Sequence, residues 1–216
     1  MKPRVKICCI SSVNEARLAI QYGASAIGLV GQMPSGPGII DDQLIAEISS
    51  ATPPPIGTFL LTSETRTQDI IAHHQKVHTN TIQIVDAISD GQYHEIRRAL
   101  PAIKLVQVIH VQDESSLDEC HRIAAFVDAI LLDSGNPNAG IKVLGGTGKV
   151  HDWKWSRKIV EHLSIPVFLA GGLKAENVRQ AIEEVGAYGL DLCSGVRTNG
   201  KLDERKLEAF MNIVFE

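Results

Sequence analysis

Short apolar runs alternate along this chain with longer amphipathic stretches. The runs carry few polar residues in alternation, which predicts strands buried on both faces, as in a parallel sheet covered by helices. Strands are predicted at 5–10, 26–30, 56–61, 81–85, 105–111, 128–132, 167–170 and 188–192. Helices are predicted at 13–22, 43–50, 66–77, 93–100, 115–125, 153–163, 175–185 and 204–214. Ser12 and Asp41 or Asp42 stand where helix N-caps belong, and Gly23 stands where a helix ends. Strict alternation of eight strand–helix units predicts an α/β protein with a parallel sheet closed into a (β/α)8, or TIM, barrel, as one domain over 1–216. An open doubly wound sheet is the competing architecture. It usually shows Gly-x-Gly-x-x-Gly after its first strand, and Cys9-Ile10-Ser11-Ser12 is not that turn.

Composition narrows the function classes. The chain has 216 residues, 44% of them hydrophobic, enough for one substantial core. A net charge of −4 without a basic stripe argues against a nucleic-acid partner. No apolar run is long enough to span a membrane, and Met1-Lys2-Pro3-Arg4 passes directly into the first strand, so no signal peptide and a cytoplasmic location are expected. Cys8, Cys9, Cys120 and Cys193 lack metal-ligand spacing and are expected as reduced thiols, with no metal.

In a barrel the chemistry lies where strands end at the C-terminal face. Those ends hold Cys8 and Cys9, the loop 31–38 rich in Gly and Pro, Gln83 and Asp86, His110, Asp133, Gly171 with Gly172, and Ser194 with Gly195. A second long loop runs over 134–150. The last two junctions, Leu169-Ala170-Gly171-Gly172 and Leu192-Cys193-Ser194-Gly195, place bare N–H groups and helix starts side by side, which suits a phosphate. Adjacent strand positions point to opposite faces, so one thiol of Cys8 and Cys9 is expected in the barrel mouth and the other among the helices. The inward thiol is a candidate general base, and Asp133 a candidate acid facing the wet pocket. His110 is a further candidate for the pocket. His73, His74 and His78 read as a solvated helix face, and Trp153 and Trp155 as packing anchors.

Taken together, Lys6-Ile7-Cys8, Leu131-Leu132-Asp133, Gly145-Gly146-Thr147-Gly148 with Asp152-Trp153, Leu169-Ala170-Gly171-Gly172-Leu173 with Asn177-Val178, and Asp191-Leu192-Cys193-Ser194-Gly195-Val196 with Asp203 resemble one family. That family is phosphoribosylanthranilate isomerase, a (β/α)8 enzyme of tryptophan biosynthesis. The resemblance implies a cofactor-free Amadori rearrangement of a phosphorylated small-molecule substrate, in a monomer or homodimer. It implies Asp133 as general acid, Cys8 as general base, and a phosphate site at Gly146, Gly171, Gly172, Ser194 and Gly195. The chain departs from the family pattern mainly in its first two units. Cys9 stands where the family has Gly, Pro37 where it has the Arg that holds the anthranilate carboxylate, and Val85 where it has His. Arg197 replaces an acidic residue and His151 an aromatic one. Lys6, His110 and Arg197 are the candidates for a replacement substrate contact. Two alternatives remain: a related barrel enzyme acting on a different phosphorylated sugar, or a non-catalytic phosphosugar-binding protein.

Overall fold

A computed structural model describes residues 2–134 and 152–216. The elements follow in strict order: β1 Arg4–Ile7, α1 Val13–Gln21, β2 Ala26–Val30, α2 Asp42–Ala51, β3 Gly57–Thr62, α3 Thr67–Val77, β4 Thr81–Ile84 and α4 Asp90–Ala99. Then come β5 Lys104–His110, α5 Ser115–Ala124, β6 Ala129–Asp133, α6 Trp153–His162, β7 Val167–Leu169, α7 Ala175–Val185, β8 Gly189–Leu192 and α8 Glu204–Phe215. The strands pair in parallel in sequence order, and β1 also pairs with β8, so the sheet closes into the expected barrel.

Period-two alternation along the buried strands sorts side chains between two cores. Ala26, Phe59, Leu61, Val106, Val108, Ala129, Leu131 and Phe168 fill the barrel interior. The intervening positions, such as Ile27, Leu60, Ile82, Ile130 and Leu190, pack outward against the helices. Each fully buried Leu, Ile or Phe contributes about 1.5–3 kcal/mol relative to exposure, so this double core carries most of the stability.

Helix starts are fixed by side-chain caps. Ser12 Oγ accepts from the Glu15 N–H at 3.1 Å, and Asp41 Oδ1 from the Leu44 N–H at 2.8 Å. Asp203 Oδ1 does the same for Lys206 at the start of α8. These bonds satisfy N–H groups that the first helical turn leaves orphaned.

Two expectations fail locally. The first strand stops at Ile7 rather than at residue 10, because Cys9 takes a left-handed backbone with φ 61°. The expected solvated face of α3 is instead half core. His74 is buried, with Nε2 2.8 Å from the Thr79 carbonyl, and burial lowers its pKa. His73 sits between Thr62 Oγ1 and the Asp42 carboxylate, each 3.1 Å away. His78 closes the helix in a left-handed conformation. Trp153 is a buried anchor of α6, as expected, and Trp155 is partly buried beneath the Lys158 ammonium.

Candidate active site

The floor of the barrel mouth is an ion pair. Lys6 on β1 and Asp191 on β8 are register neighbours, and Lys6 Nζ lies 2.9 Å from Asp191 Oδ1. Lys6 is fully buried, over the Phe59 ring. Burial disfavours the ammonium, but the Asp191 carboxylate together with the Cys8 and Cys9 sulfurs outweighs it and raises the Lys6 pKa, so the lysine stays charged. For Asp191 the balance runs the other way: burial and the nearby Asp133 raise its pKa despite Lys6. The short contact favours the ionised pair, with each charge neutralising the other. Lys6 is therefore not among the residues lining the cavity above, and its charge is already matched.

Cys8 and Cys9 both line that cavity, contrary to the expected split between mouth and helices. Alternation requires extended backbone, and the left-handed turn at Cys9 breaks it. The Cys8 thiol lies over Gly28 of β2, where a Cβ would stand 2.8 Å from Cys8 Sγ, so only glycine leaves this space. The turn is held by Arg197. Its Nη2 donates to the carbonyls of Cys8 at 3.1 Å and Cys9 at 2.6 Å, while Nη1 donates to Gly200 O and to Glu15. Burial would raise the Glu15 pKa, but the N–H groups of Leu202 and Ser11 together with Arg197 lower it. Arg197 is thus committed to backbone and Glu15 beneath the strand ends and does not line the cavity.

The adjoining wall is made by the last two strand–helix junctions, the second of them on β8 beside β1. Gly171 and Gly172 have φ 88° and 63°, a turn that residues with a Cβ adopt only with strain. Asn177 on α7 locks it, accepting from the Lys174 N–H at 2.9 Å and donating to Gly172 O at 3.0 Å. Gly195 lies in a short 3-10 turn, Ser194–Val196, pressed against the neighbouring loop: a Cβ there would stand 2.0 Å from Leu173 O. Gly171, Gly172 and Ser194 line the cavity, and Gly172, Ser194 and Gly195 also line an adjoining cleft at the start of α7. Backbone N–H groups at such junctions form an anion-binding surface. Gly146 and His151 lie outside the described residues.

Asp133, the last residue of β6, closes the ring of strand ends. It is 8% exposed, lines the cavity, and accepts from the Ser134 N–H at 2.7 Å. His110 pairs with Asp133 in register, yet it lines a neighbouring cleft with Asp86 and Gln112 rather than this cavity. Gln83 on β4, one strand end among many in the sequence, does line it. Gln83 is 2% exposed, and its Oε1 has no hydrogen-bond partner among the described residues. A polar residue at an inward position of an apolar strand was the available signal. Val30, Met33, Leu61, Val85, Val108 and Leu131 complete an apolar wall, and no Lys or Arg lines the cavity among the described residues. No cluster of His, Cys, Asp and Glu among those residues is arranged to hold a metal ion.

The cavity therefore joins a thiol, a carboxylate and a wall of backbone N–H groups. Comparison with known proteins places the chain in a family. The family model described as N-(5'phosphoribosyl)anthranilate (PRA) isomerase matches residues 5–213. An N-(5'-phosphoribosyl)anthranilate isomerase of Methanosarcina acetivorans is 33% identical, covering 99% of this chain and 94% of that protein. N-(5'-phosphoribosyl)anthranilate isomerase 2 of Methanosarcina mazei is 36% identical over 97% of this chain and 92% of its own length. Among solved structures, the phosphoribosyl anthranilate isomerase of Thermotoga maritima superposes with a TM-score of 0.84 at 27% identity, covering 99% of this chain and 98% of that one. On this evidence the chain belongs to the N-(5'-phosphoribosyl)anthranilate isomerase family.

Proposed function

We propose that the protein isomerises N-(5'-phosphoribosyl)anthranilate by a cofactor-free Amadori rearrangement, as a step of tryptophan biosynthesis. The reaction needs a proton delivered to the ribose ring oxygen, which opens the ring to an iminium at C1'. A base then removes the proton from C2', and the resulting enolamine becomes the 2-ketose. The acid must reach the ring oxygen and the base the proton on C2', so the two groups come from different strand ends. Asp133 serves as the acid and Cys8 as the base. The N–H groups around Gly171, Gly172, Ser194 and Gly195, with Gly146, hold the phosphate, and Gln83 offers its unpaired oxygen to a substrate hydroxyl. The protein acts in the cytoplasm as a single-domain monomer or homodimer. In keeping with this, no helix among the described residues is long and apolar enough to cross a membrane.

The observation that carries the reading is the shared cavity: Cys8, Asp133, Gly171, Gly172 and Ser194 line one space at the barrel mouth. A second reading, the same chemistry on a different phosphorylated sugar, rests on the absence of Lys or Arg from the described lining. An anthranilate carboxylate would ordinarily call for a cation. Loss of substrate fluorescence with phosphoribosylanthranilate decides between the two. Saturable turnover supports the first reading. No turnover with that substrate, alongside turnover of a phosphoribosyl amine lacking the carboxylate, supports the second.

A further inference from the structure

Cys9 and Cys193 are 184 positions apart in the chain, yet their sulfurs lie 2.7 Å from each other. That is closer than ordinary van der Waals contact between sulfurs. Both residues line the cavity, Cys9 buried and Cys193 half-buried, so a small solute entering the barrel mouth reaches them. Cys9 is held from several sides. Arg197 grips its carbonyl, its thiol donates weakly to Pro37 O at 3.6 Å, and Gly38 packs so closely that a Cβ there would stand 2.4 Å from Cys9 Cβ. Cys193 is fixed by the end of β8 and the 3-10 turn that follows it.

We propose that Cys9 and Cys193 form an oxidisable dithiol, a modification site on the cavity wall that a hydroperoxide converts to a disulfide. Closing the gap from 2.7 Å to the bonded distance of about 2.05 Å takes a movement of roughly 0.65 Å. In the first step the Cys193 thiolate attacks the O–O bond. An S–O bond forms, the O–O bond breaks, and the departing alkoxide leaves as the alcohol after taking up a proton. In the second step the Cys9 sulfur attacks the Cys193 sulfenic acid. The S–S bond forms, and hydroxide leaves as water with the Cys9 proton. Two thiols and one hydroperoxide give one disulfide, one alcohol and one water, with two electrons passing from sulfur to the peroxide.

The surroundings divide the two roles. The close contact with the Cys9 sulfur and the positive charge of Arg197 outweigh burial and lower the Cys193 pKa. Hydrogen bonds with Cys193 and Cys8, together with burial, raise that of Cys9, which keeps its proton until it resolves the sulfenic acid. Cys120 serves as an internal contrast, since burial pushes it up to about 12 and it is not among the residues lining the cavity. The disulfide would tie the strand end that carries Cys8 to the turn that carries Ser194.

The test is independent of any turnover assay. Reduced protein is treated with hydrogen peroxide, its remaining thiols are alkylated, and an unreduced digest is read by mass spectrometry. The expected result is a Cys9–Cys193 linked peptide, a fall from four alkylatable thiols to two, and full recovery with dithiothreitol. Cys9→Gly, suited to the left-handed backbone, should still fold and should leave Cys193 as a sulfenic acid trapped by dimedone; Cys193→Ser should give no linked peptide. Four thiols surviving peroxide, or a link involving Cys8 or a second chain instead, would overturn the proposal.

Discussion

Arg197 Nη2 lies 2.6 Å from the carbonyl oxygen of Cys9 and 3.1 Å from that of Cys8, and so holds the backbone turn at the strand end that carries the Cys8 thiol. The guanidinium does not line the cavity and acts on it through the backbone. Replacing Arg197 with Met should leave the carbonyls of Cys8, Cys9 and Gly200 without this donor and the Glu15 carboxylate without its cation. Leaving these buried carbonyls unsatisfied, beside a Glu15 that stays partly solvated, costs about 1–3 kcal/mol. Turnover should also fall more than substrate affinity, because the base loses its position while the phosphate wall stays. Thermal unfolding and a comparison of kcat with KM check both parts.

The same pair predicts a pH dependence. The Glu15 pKa is lowered in the folded protein. Its stabilisation is therefore fully present above the unfolded value of about 4.3 and is lost as pH falls through the folded value. Glu15→Gln should lower Tm at pH 7, and the gap to wild type should close on acidification below about pH 4. A gap that stays constant from pH 7 to pH 3 would contradict this.

Lys6 and Asp191 give a test of the cavity floor. Lys6→Met leaves a buried carboxylate without its partner and should destabilise the fold by about 3–5 kcal/mol. The double variant Lys6→Met with Asp191→Leu should recover most of that loss, since no charge is then left buried. Urea midpoints of the three proteins decide it.

On the phosphate wall, Gly195→Ala drives a Cβ to within 2.0 Å of Leu173 O, a backbone atom that moves only with its loop. Overpacking of this kind costs about 1–3 kcal/mol. KM should rise, and inorganic phosphate should inhibit more weakly than in wild type. An unchanged inhibition constant would mean that this turn does not hold the phosphate.

The eight-unit barrel was legible because a strand covered on both faces reads as an apolar run and its neighbours as amphipathic helices. The boundaries of α7 matched, since capping and periodicity agree there. The start of α4 was placed three residues late, because Asp90-Gly91-Gln92 looks like loop until the Ser89–Gln92 capping box is seen. Around the site, the sequence carried the residue types at the strand ends but not their directions. Alternation sent Cys8 and Cys9 to opposite faces, and one left-handed residue undid it. Arg197 looked like a free cation because its partners, Glu15 and the Cys8 and Cys9 carbonyls, are remote in sequence. The contact of Cys9 with Cys193 was hidden for the same reason: only barrel closure between β1 and β8 brings them together.

The most direct measurement is kcat with phosphoribosylanthranilate for Cys8→Ala and Asp133→Asn at wild-type protein concentration. If these two groups move the protons, each variant loses about 10²–10⁴-fold in kcat while its Tm stays near that of wild type. Wild-type kcat in either folded variant would contradict the assignment of base and acid.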